Sequence, residues 1–425
     1  MTDCISLPKF TSYPSVGCKN YQETHETMEN LTYIDFMIQQ GQSALLEKPQ
    51  KVDIGAIERD LTQLWKAVSN PATEDAIPPV IRACTLNFIV VMEGQAALDA
   101  TAELAGDVTV EHPSRLFLVA LEDMPGGSSL ESWISARCSL PVPGRSQVCC
   151  EQVNFVARGA AISGVPNLVT SLLVPDVPSV VLWTPPAGKY EGLLPLLASV
   201  VDRVLIDSSG ETSPVEMLCA WQWLLKDTTG VAARATLGDL AWTHLTTWRS
   251  LTARMFQPDG MRTILPKMSG MEIRYSVSTT PRHSGLSQAL LYTAWFAERM
   301  GWALADTRGG RGPDEYTFDF VAPGPGSLQV HVAPTVGEPE GPGGIESVSI
   351  TADDSSVLSL ELQSGRRSVR SRRKHSNTST EEEIVSLTDQ SESTVLAREL
   401  EISTGDVLYE SALDILGLML KEAAR

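Results

Sequence analysis

The first half of this sequence alternates short apolar, β-branched stretches with helix-forming ones, and that alternation constrains the fold more than any other feature. Val80–Val91 and Arg115–Leu121 predict two buried strands, and Gly94–Ala105 predicts a helix between them. A strand, helix, strand unit implies parallel strands joined by a right-handed crossover. Further strands at Ser179–Trp183 and Arg203–Ile206 continue the pattern. We therefore predict an α/β fold whose N-terminal mixed sheet is covered by helices.

Four further stretches belong to the predicted N-terminal domain. Ser132–Cys138 and Gln147–Phe155 are separated by proline and glycine, which predicts a hairpin rather than another crossover. Apolar residues recur at spacings of three and four across Gly55–Ser69, which predicts a helix packed on this domain. Pro214–Lys226 predicts a further helix.

The second half of the sequence has a different pattern, in which short strands broken by proline and glycine lie between helices. Helices are predicted at Ser287–Met300 and Asp406–Arg425, and this arrangement is typical of an α+β domain. A boundary is expected near Gly230, where large apolar residues are few. We predict a flexible N-terminal arm over residues 1–52, an α/β domain over 53–230 and an α+β C-terminal domain over 231–425.

A dense basic run, Arg366–His375, lies in the second domain and is followed by Glu381, Glu382 and Glu383 in Ser/Thr-rich sequence. Such a run could hold an acidic partner or a nucleic-acid phosphate. The alternative is a solvated loop whose charge is offset by its own acidic neighbours. We predict a basic, Ser/Thr-rich loop near residues 364–383.

Charge and hydropathy narrow the range of partners and locations. The chain has 425 residues, with 33 Lys and Arg against 52 Asp and Glu, for a net charge of −19. This excess of acid argues against a general nucleic-acid or anionic-membrane surface. Since no apolar run approaches the roughly 20 residues that span a bilayer, and no signal peptide is evident, we expect a cytoplasmic protein without membrane contact.

The sequence also lacks the motifs that commonly mark an enzyme. It contains no Gly-x-Gly-x-x-Gly after a strand, no phosphate-binding P-loop, no Gly-x-Ser-x-Gly and no His-Glu-x-x-His. Gly309-Gly-Arg-Gly312 is followed by Pro313 and predicts a simple turn. The histidines are scattered and no Cys-x-x-Cys pair occurs. We expect no catalysis, no bound cofactor and no metal.

One segment is typical of molecular recognition. Gly238–Arg249 places two tryptophans among acidic and basic residues on helix-forming sequence. Aromatic residues and arginine anchor many protein interfaces; the alternative, which the segment taken alone favours, is that both indoles belong to the hydrophobic core. The residues of this predicted partner-binding surface are Asp239, Trp242, His244, Trp248 and Arg249.

A second group of residues predicts a ligand crevice. Arg115 could bind a phosphate or carboxylate through its planar guanidinium, and His112 could donate beside it. Asp207 and Ser208 follow a strand, and open α/β sheets bind ligands at the carboxyl ends of their strands. The alternatives are a structural turn at His112 and ordinary capping by Asp207 and Ser208. Arg82 completes the predicted crevice.

The motifs, taken in order, resemble a known family, the glucose-6-phosphate dehydrogenase assembly proteins called OpcA. They run in the order of that family from about Val80 to Phe256, the likeness is looser beyond Phe256, and none is evident before Asp53. The motifs that carry it are Arg82-Ala-Cys-Thr-Leu-Asn87, His112-Pro-Ser-Arg115, Leu182-Trp183, Arg203-Val-Leu-Ile-Asp-Ser-Ser209 and the tryptophan segment Gly238–Arg249.

The resemblance implies a non-enzymatic partner of glucose-6-phosphate dehydrogenase in the pentose phosphate pathway. Such a protein binds the dehydrogenase as an allosteric activator and promotes its active oligomer, in some phototrophs under redox control. The competing hypothesis is an enzyme or sensor that binds a phosphorylated sugar in a crevice near Arg115 and Asp207, with His112 as acid or base.

The seven cysteines have no regular spacing, which fits reduced thiols better than a disulfide framework. Cys84, Cys138 and Cys219 lie in apolar segments and are expected to be buried, whereas the adjacent Cys149 and Cys150 cannot easily bridge to one another. In the predicted arm, Cys4 and Cys18 have the freedom to meet. With the resemblance, they become candidates for a redox clip with thioredoxin as partner, the alternative being two ordinary thiols.

Overall fold

The computed structural model describes residues 44–45, 50–51, 54–69, 80–139, 147–190, 192–210, 215, 217–221, 235–279, 282–310, 312, 314–323, 326–337, 339–376, 379–387, 391–402 and 404–423. Cys4, Cys18 and most of the predicted arm lie outside these residues, as does most of the predicted helix Pro214–Lys226.

Strands from the N-terminal half form one large sheet, which is accompanied by helices; residues 215 and 217–221 are also helical. Within the described residues the strands are β1 Ala44–Leu45, β2 Gln50–Lys51, β3 Val80–Arg82, β4 Leu86–Glu93, β5 Ser114–Glu122, β6 Ser128–Ser139, β7 Gln147–Gly159, β8 Ser179–Trp183, β9 Arg203–Ile206 and β10 Thr236–Asp239. The helices are α1 Ile54–Ser69, α2 Leu98–Glu111, α3 Val165–Leu172 and α4 Leu193–Ala198.

The N-terminal sheet has a doubly wound order. Its strands lie side by side as β1-β6-β7-β5-β4-β8-β9-β10, and every neighbouring pair from β7 to β10 is parallel. Numbered along the chain, these six parallel strands follow the order 3-2-1-4-5-6, in which the winding reverses between β4 and β8. We call the carboxyl ends of β4 and β8 the switch point. The antiparallel pairing of β6 with β7 confirms the predicted hairpin.

Strands β4 and β5 are buried along almost their whole length, because helices cover both faces of the sheet. Helix α1 contacts β6 and α3, whereas α2 contacts β5. The predicted strand Val80–Val91 is in fact two, since residues 83–85 leave the sheet between β3 and β4.

Strands from the C-terminal half form a second sheet and a short ribbon. The strands in the described residues are β11 Met268–Tyr275, β12 Val277–Thr279, β13 Arg282–Ser284, β14 Ala303–Gly309, β15 Tyr316–Val321, β16 Ser327–Pro334, β17 Ile345–Ala352, β18 Val357–Leu362, β19 Ser368–Lys374 and β20 Glu381–Ser386. The accompanying helices are α5 Leu240–Met255, α6 Leu286–Met300, α7 Glu392–Leu400 and α8 Val407–Ala423.

The C-terminal sheet has the order β14-β15-β16-β11-β17-β18-β19-β20, and β12 pairs only with β13. Its strands alternate buried and exposed residues, so one face carries the core. Helix α6 contacts β11, β16 and β17, α5 contacts β18 and β19, and α8 contacts α6 and β14. The predicted fold class is confirmed: an α/β N-terminal sheet covered by helices, followed by an α+β region.

The two halves are connected through shared elements. Strand β10, at Thr236–Asp239, completes the N-terminal sheet, and α7 returns from the C-terminal half to contact α2 and α5. The chain around Gly230 lies outside the described residues, so the boundary predicted there stays a prediction.

The basic run is not the predicted loop. Residues 368–374 form β19, and the following glutamates begin β20, its antiparallel neighbour. Pairing of the two strands brings opposite charges together. The pairs are Arg370 with Glu382 (3.2 Å), Arg372 with Glu382 (2.9 Å) and Glu361 (3.3 Å), and Arg373 with Glu381 (3.3 Å). The offset of the basic run by acidic neighbours is confirmed, while its loop conformation is wrong.

Two of the cysteines are joined, contrary to the expectation of reduced thiols. Cys138 and Cys149 face one another in the β6–β7 pairing and form a disulfide. Cys150 is buried on the other side of β7, and burial raises the pKa of its thiol to about 11. Cys219, which was expected to be buried, is exposed. Cys138 is buried as expected, whereas Cys84 is half-buried.

Candidate functional site

The switch point is the place where a sheet of this order binds ligands, and here it is filled by the chain's own charges. Lys189, after β8, forms an ion pair with Glu93 at the end of β4 and lies 4.0 Å from Asp123. The hydrogen bond to Glu93 raises the pKa of Lys189. The Tyr190 hydroxyl donates to the Leu121 carbonyl (3.3 Å). Contacts within the chain thus cross the crevice between β4, β5 and β8.

A carboxylate also occupies the turn that leads into α2. The Gln95 N–H donates to Glu122 Oε1 (2.9 Å), while Arg158 donates from Nε to Glu122 Oε2 (2.6 Å). Arg158 also reaches Glu131 (2.9 Å) and the Gln95 side chain (2.9 Å). The Gln95 amide, with Arg158, lowers the pKa of Glu122. A phosphate at this helix start would compete with a carboxylate already in place.

Sequence reasoning missed these switch-point residues, because Glu93, Glu122 and Lys189 belong to no motif. The available signal was indirect: the β4–α2 turn contains one glycine, Gly94, where dinucleotide-binding turns carry several.

Arg115 and Arg82 of the predicted crevice do come together, around a buried carboxylate. Arg115, which is only 5% exposed, donates to Glu151 (2.6 Å) and to the Leu172 carbonyl (2.6 Å). Arg82 forms an ion pair with the same Glu151 (2.5 Å). The Trp65 indole N–H donates to this carboxylate as well. Arg115 is therefore engaged in internal contacts.

His112 ends helix α2, as the structural-turn alternative expects. Its backbone N–H donates to the Val108 carbonyl (2.9 Å), and its carbonyl accepts from the Ser114 hydroxyl (2.5 Å). The His112 Nε2 atom is buried and has no hydrogen-bond partner among the described residues.

The rest of the predicted crevice lies elsewhere. Arg115 stands at the amino end of β5, whereas Asp207 follows the carboxyl end of β9, and the strands from β5 to β9 are parallel. The two residues are therefore at opposite edges of the sheet, and the single crevice predicted from sequence is wrong. Asp207 accepts from the Ser209 N–H (2.9 Å) in a local turn, and Ser208 is fully buried.

Three residues of the predicted partner-binding surface are buried, so that prediction is wrong for them. Asp239, Trp242 and Trp248 are 0%, 2% and 6% exposed, while His244 and Arg249 are half-buried. The Trp242 indole N–H donates to Asp406 (2.7 Å), and the Arg249 guanidinium lies 3.6 Å from the ring centroid of Trp242. Burial lowers the pKa of Arg249 to about 10. The segment is core, which was the alternative interpretation.

Asp239 begins α5 and holds the turn that follows β9. It accepts from the Ala241 N–H (2.9 Å), the Ser208 N–H (3.1 Å) and the Ser208 hydroxyl (2.7 Å). Burial, the dominant cause, raises its pKa to about 7.

A buried ion pair joins the two halves beside this helix. Arg203 of β9 pairs with Glu399 of α7, and Thr243 of α5 also donates to Glu399. Burial raises the pKa of Glu399. We call Arg203, Asp239, Trp242, Glu399 and Asp406 the junction; it connects the N-terminal sheet to helices of the C-terminal half.

The C-terminal sheet leaves a broad polar surface, which we call the open face. Its centre carries small residues, and charged residues flank them in ion pairs such as Arg274 with Glu272 (2.5 Å). Helices α5, α6 and α8 lie on the face where the apolar residues are buried. The open face consists of Gly270, Glu272, Arg274, Gln329, Ser347, Ser349, Thr351, Ser359, Glu361, Arg370 and Arg372.

Two further properties hold for the described ranges alone. They contain no group of three or more His, Cys, Asp and Glu side chains placed to hold a metal ion. They also contain no helix that is long and apolar enough to cross a membrane.

Comparison with known proteins gives matches along most of the chain. Residues 105–222 match the model described as the glucose-6-phosphate dehydrogenase subunit N-terminal domain, and residues 235–413 match its C-terminal domain; both are OpcA models. A relative from Synechococcus elongatus, named OpcA and placed by its name in the OxPP cycle, is 23% identical over 84% of this chain and 81% of its own length. A protein of the same name from Nostoc punctiforme is 26% identical over 47% of this chain and 40% of its own.

Solved structures give weaker likenesses. A levoglucosan dehydrogenase in complex with NADH and L-sorbose is 10% identical with a TM-score of 0.44, covering 80% of this chain and 98% of that one. An NAD binding oxidoreductase from Klebsiella pneumoniae is 10% identical with a TM-score of 0.46, covering 80% and 96%. At these scores the likenesses support no conclusion about function.

Proposed function

Because the chain belongs to the OpcA family of glucose-6-phosphate dehydrogenase assembly proteins, we propose that it binds this dehydrogenase and promotes its active oligomer without catalysis of its own. As part of the same proposal, we place the protein in the pentose phosphate pathway and in the cytoplasm. Arg115 and Asp207 lie at opposite edges of the sheet, so the competing sugar-phosphate crevice is not proposed.

The observation that carries the non-catalytic role is the filled switch point. A dinucleotide would have to displace Glu122 from the Gln95 N–H and from Arg158, and to enter between Glu93 and Asp123. Placing pyrophosphate beside those carboxylates is unfavourable, because like charges repel at short range. The strand order is that of a dinucleotide-binding sheet, but its charges favour a scaffold.

An assembly factor needs only differential affinity. A partner that binds the assembled dehydrogenase ten times more tightly than its dispersed subunits shifts the equilibrium by about 1.4 kcal/mol. No reacting group is required for that shift.

We place the dehydrogenase contact on the open face rather than on the buried tryptophan segment. The centre of the open face consists of short serine side chains. Because these side chains project little from the sheet, a second flat surface can approach closely. The serines are Ser347, Ser349 and Ser359. The surrounding charges are both positive and negative, so they would fix the register of a partner with alternating charge.

The test is the rate of the same organism's glucose-6-phosphate dehydrogenase, measured at low subunit concentration against increasing amounts of this chain. We expect a saturable rise in rate. Ser349→Arg should weaken the activation at least tenfold, since a long charged side chain would stand in the middle of the contact. The matched control is Ser163→Arg, on an exposed 3-10 turn of the N-terminal half. Equal activation by both variants would exclude the open face, and no activation by wild type would exclude the assembly role.

The same assay, run with oxidised and with reduced protein, tests the proposed redox role of Cys4 and Cys18. In the proposal, oxidation closes a clip between them that thioredoxin reopens, so activation should differ between oxidised and reduced protein. The double variant Cys4→Ser, Cys18→Ser should abolish that difference. A difference that survives the double variant would assign the effect to other cysteines.

A further inference from the structure

A cavity of about 880 Å³ opens between α5, α6 and the edge of the C-terminal sheet; His244 and Trp248 of the predicted partner-binding surface line it, as do Arg366 and Arg367 of the basic run. We call it the C-terminal cavity. Its size falls in the range of small-molecule sites, roughly 300–1,000 Å³. Its lining combines hydrogen-bond donors and arginine side chains on one side with apolar side chains on the other.

A glycine-rich loop brings backbone against the start of α6 on one side of the cavity. Gly341 has a φ of +119°, a conformation that side-chain-bearing residues rarely adopt. A Cβ on Gly285, the residue before α6, would lie 2.6 Å from the backbone of Gly344, so glycine is required for this approach. The positive end of the α6 dipole therefore meets the loop.

Gln288, in the first turn of α6, presents a side-chain donor to the cavity. Its side chain lines the cavity although the residue is only 4% exposed. Its Oε1 atom accepts from the Ile345 N–H (3.4 Å), whereas its Nε2 atom has no hydrogen-bond partner in the described part of the chain. An acceptor atom of a ligand in the cavity can therefore accept from this N–H without displacing another partner.

Two arginines in the turn between β18 and β19 line the cavity. Arg366, with a φ of +53°, pairs with Glu346. Arg367 is exposed, lines the cavity and has no side-chain partner among the described residues. The acidic lining residues are engaged: Glu340 accepts from the Gly365 N–H (3.0 Å), and Glu392 has a contact of its own. Of the two arginines, Arg367 is therefore the one without an ion-pair partner among the described residues.

The opposite wall is apolar. Trp248, Leu362 and Leu387 line it, which gives the organic part of a ligand a surface to pack on. A bare ion would leave this wall uncovered.

We propose that the C-terminal cavity binds a small organic phosphate, with its phosphate held by Arg367 and the neighbouring Arg366. Arginine pairs of this kind suit phosphate because the planar guanidinium offers two parallel donors. Gln288 Nε2 donates to the same ligand, and its organic body packs on Trp248. This site is independent of dehydrogenase binding, and its test uses this chain alone.

The experiment is isothermal titration of the full chain with glucose 6-phosphate, inorganic phosphate and glucose. We expect glucose 6-phosphate to bind most tightly, phosphate at least tenfold more weakly and glucose not measurably, because only the first supplies both the anion and the organic body. Absence of heat with both phosphates at millimolar concentration would overturn the proposal. Equal affinity for the two phosphates would overturn the role of the apolar wall.

Variants locate the binding. Arg367→Gln, at an exposed position, should weaken glucose 6-phosphate binding about tenfold. Gln288→Leu should weaken it further, and circular dichroism should show that both variants keep the wild-type fold. The matched control is Arg274→Gln on the open face, which removes one positive charge at a distance from the cavity. If Arg274→Gln and Arg367→Gln weaken binding equally, the effect is general charge and the proposed site is wrong.

Discussion

The switch point and the C-terminal cavity are built from the same elements, yet they present opposite surfaces to a ligand. Each combines a glycine-containing turn, the approach to a helix and an arginine. At the switch point, Glu122 accepts from the Gln95 N–H and from Arg158. In the cavity, Gln288 Nε2 and the Arg367 guanidinium have no side-chain partner within the described ranges. The difference teaches that binding capacity depends on which donors remain unsatisfied, rather than on strand order.

The comparison requires that both regions belong to one folded unit. We expect the largest loss of stability from a substitution in the junction, which connects the two halves. Glu399→Ala would leave Arg203 buried without its carboxylate and remove the acceptor of Thr243. We expect a loss of about 3–5 kcal/mol in the free energy of unfolding. Urea denaturation followed by tryptophan fluorescence measures it. The exposed control Glu272→Ala should cost less than about 0.5 kcal/mol, and similar losses for both would contradict the role of the junction.

A second effect contrasts two carboxylates that accept from backbone amides near helix starts. Glu122 has a lowered pKa because the Gln95 amide and Arg158 surround it, whereas burial raises the pKa of Asp239 from near 3.8 to about 7. Between these values the folded state binds more protons at Asp239 than the unfolded state does. The contribution of Asp239 to stability is therefore complete below about pH 4 and is lost as the pH rises towards 7.

Asp239→Asn should remove this pH dependence while keeping an acceptor oxygen. We expect the wild-type free energy of unfolding to fall more steeply than that of the variant between pH 4 and pH 7, by at most about 1.4 kcal/mol per pH unit. Urea titrations at intervals of half a pH unit measure both slopes. Parallel curves would show that Asp239 stays ionised in the fold.

The smallest expected effect concerns the switch point itself. Glu122→Gln weakens the contacts with Arg158 and Gln95, and because Glu122 is partly exposed we expect a loss of only about 1 kcal/mol. The loss is measured by thermal unfolding of Glu122→Gln. The control is Glu272→Gln, which removes one carboxylate from an exposed ion pair. A gain in stability would mean that the carboxylates of Glu122 and Glu131 repel one another more than Arg158 attracts them.

The sequence predicted the architecture better than the sites. Alternating apolar stretches were sufficient for β4, β5, β8 and the β6–β7 hairpin, since strand and helix periods are local properties. The tryptophan segment was misread because a helix that packs on both halves has the same aromatic and charged composition as an interface. Trp242 and Asp406 make that contact across 164 positions of sequence.

The predicted crevice failed for a different reason. Whether Arg115 and Asp207 share an edge depends on strand direction and on which end of each strand carries the residue, and neither follows from local pattern. The basic run failed because strand β19 is specified by its pairing with β18 and β20 rather than by its own composition.

The assembly role is tested most directly by sedimentation velocity of glucose-6-phosphate dehydrogenase, at a concentration where its subunits are partly dispersed, with and without this chain. We predict that wild type and Ser163→Arg convert the dehydrogenase to a larger species containing both proteins, and that Ser349→Arg does not. A dehydrogenase boundary that is unchanged by a saturating amount of wild-type protein would contradict the assembly role.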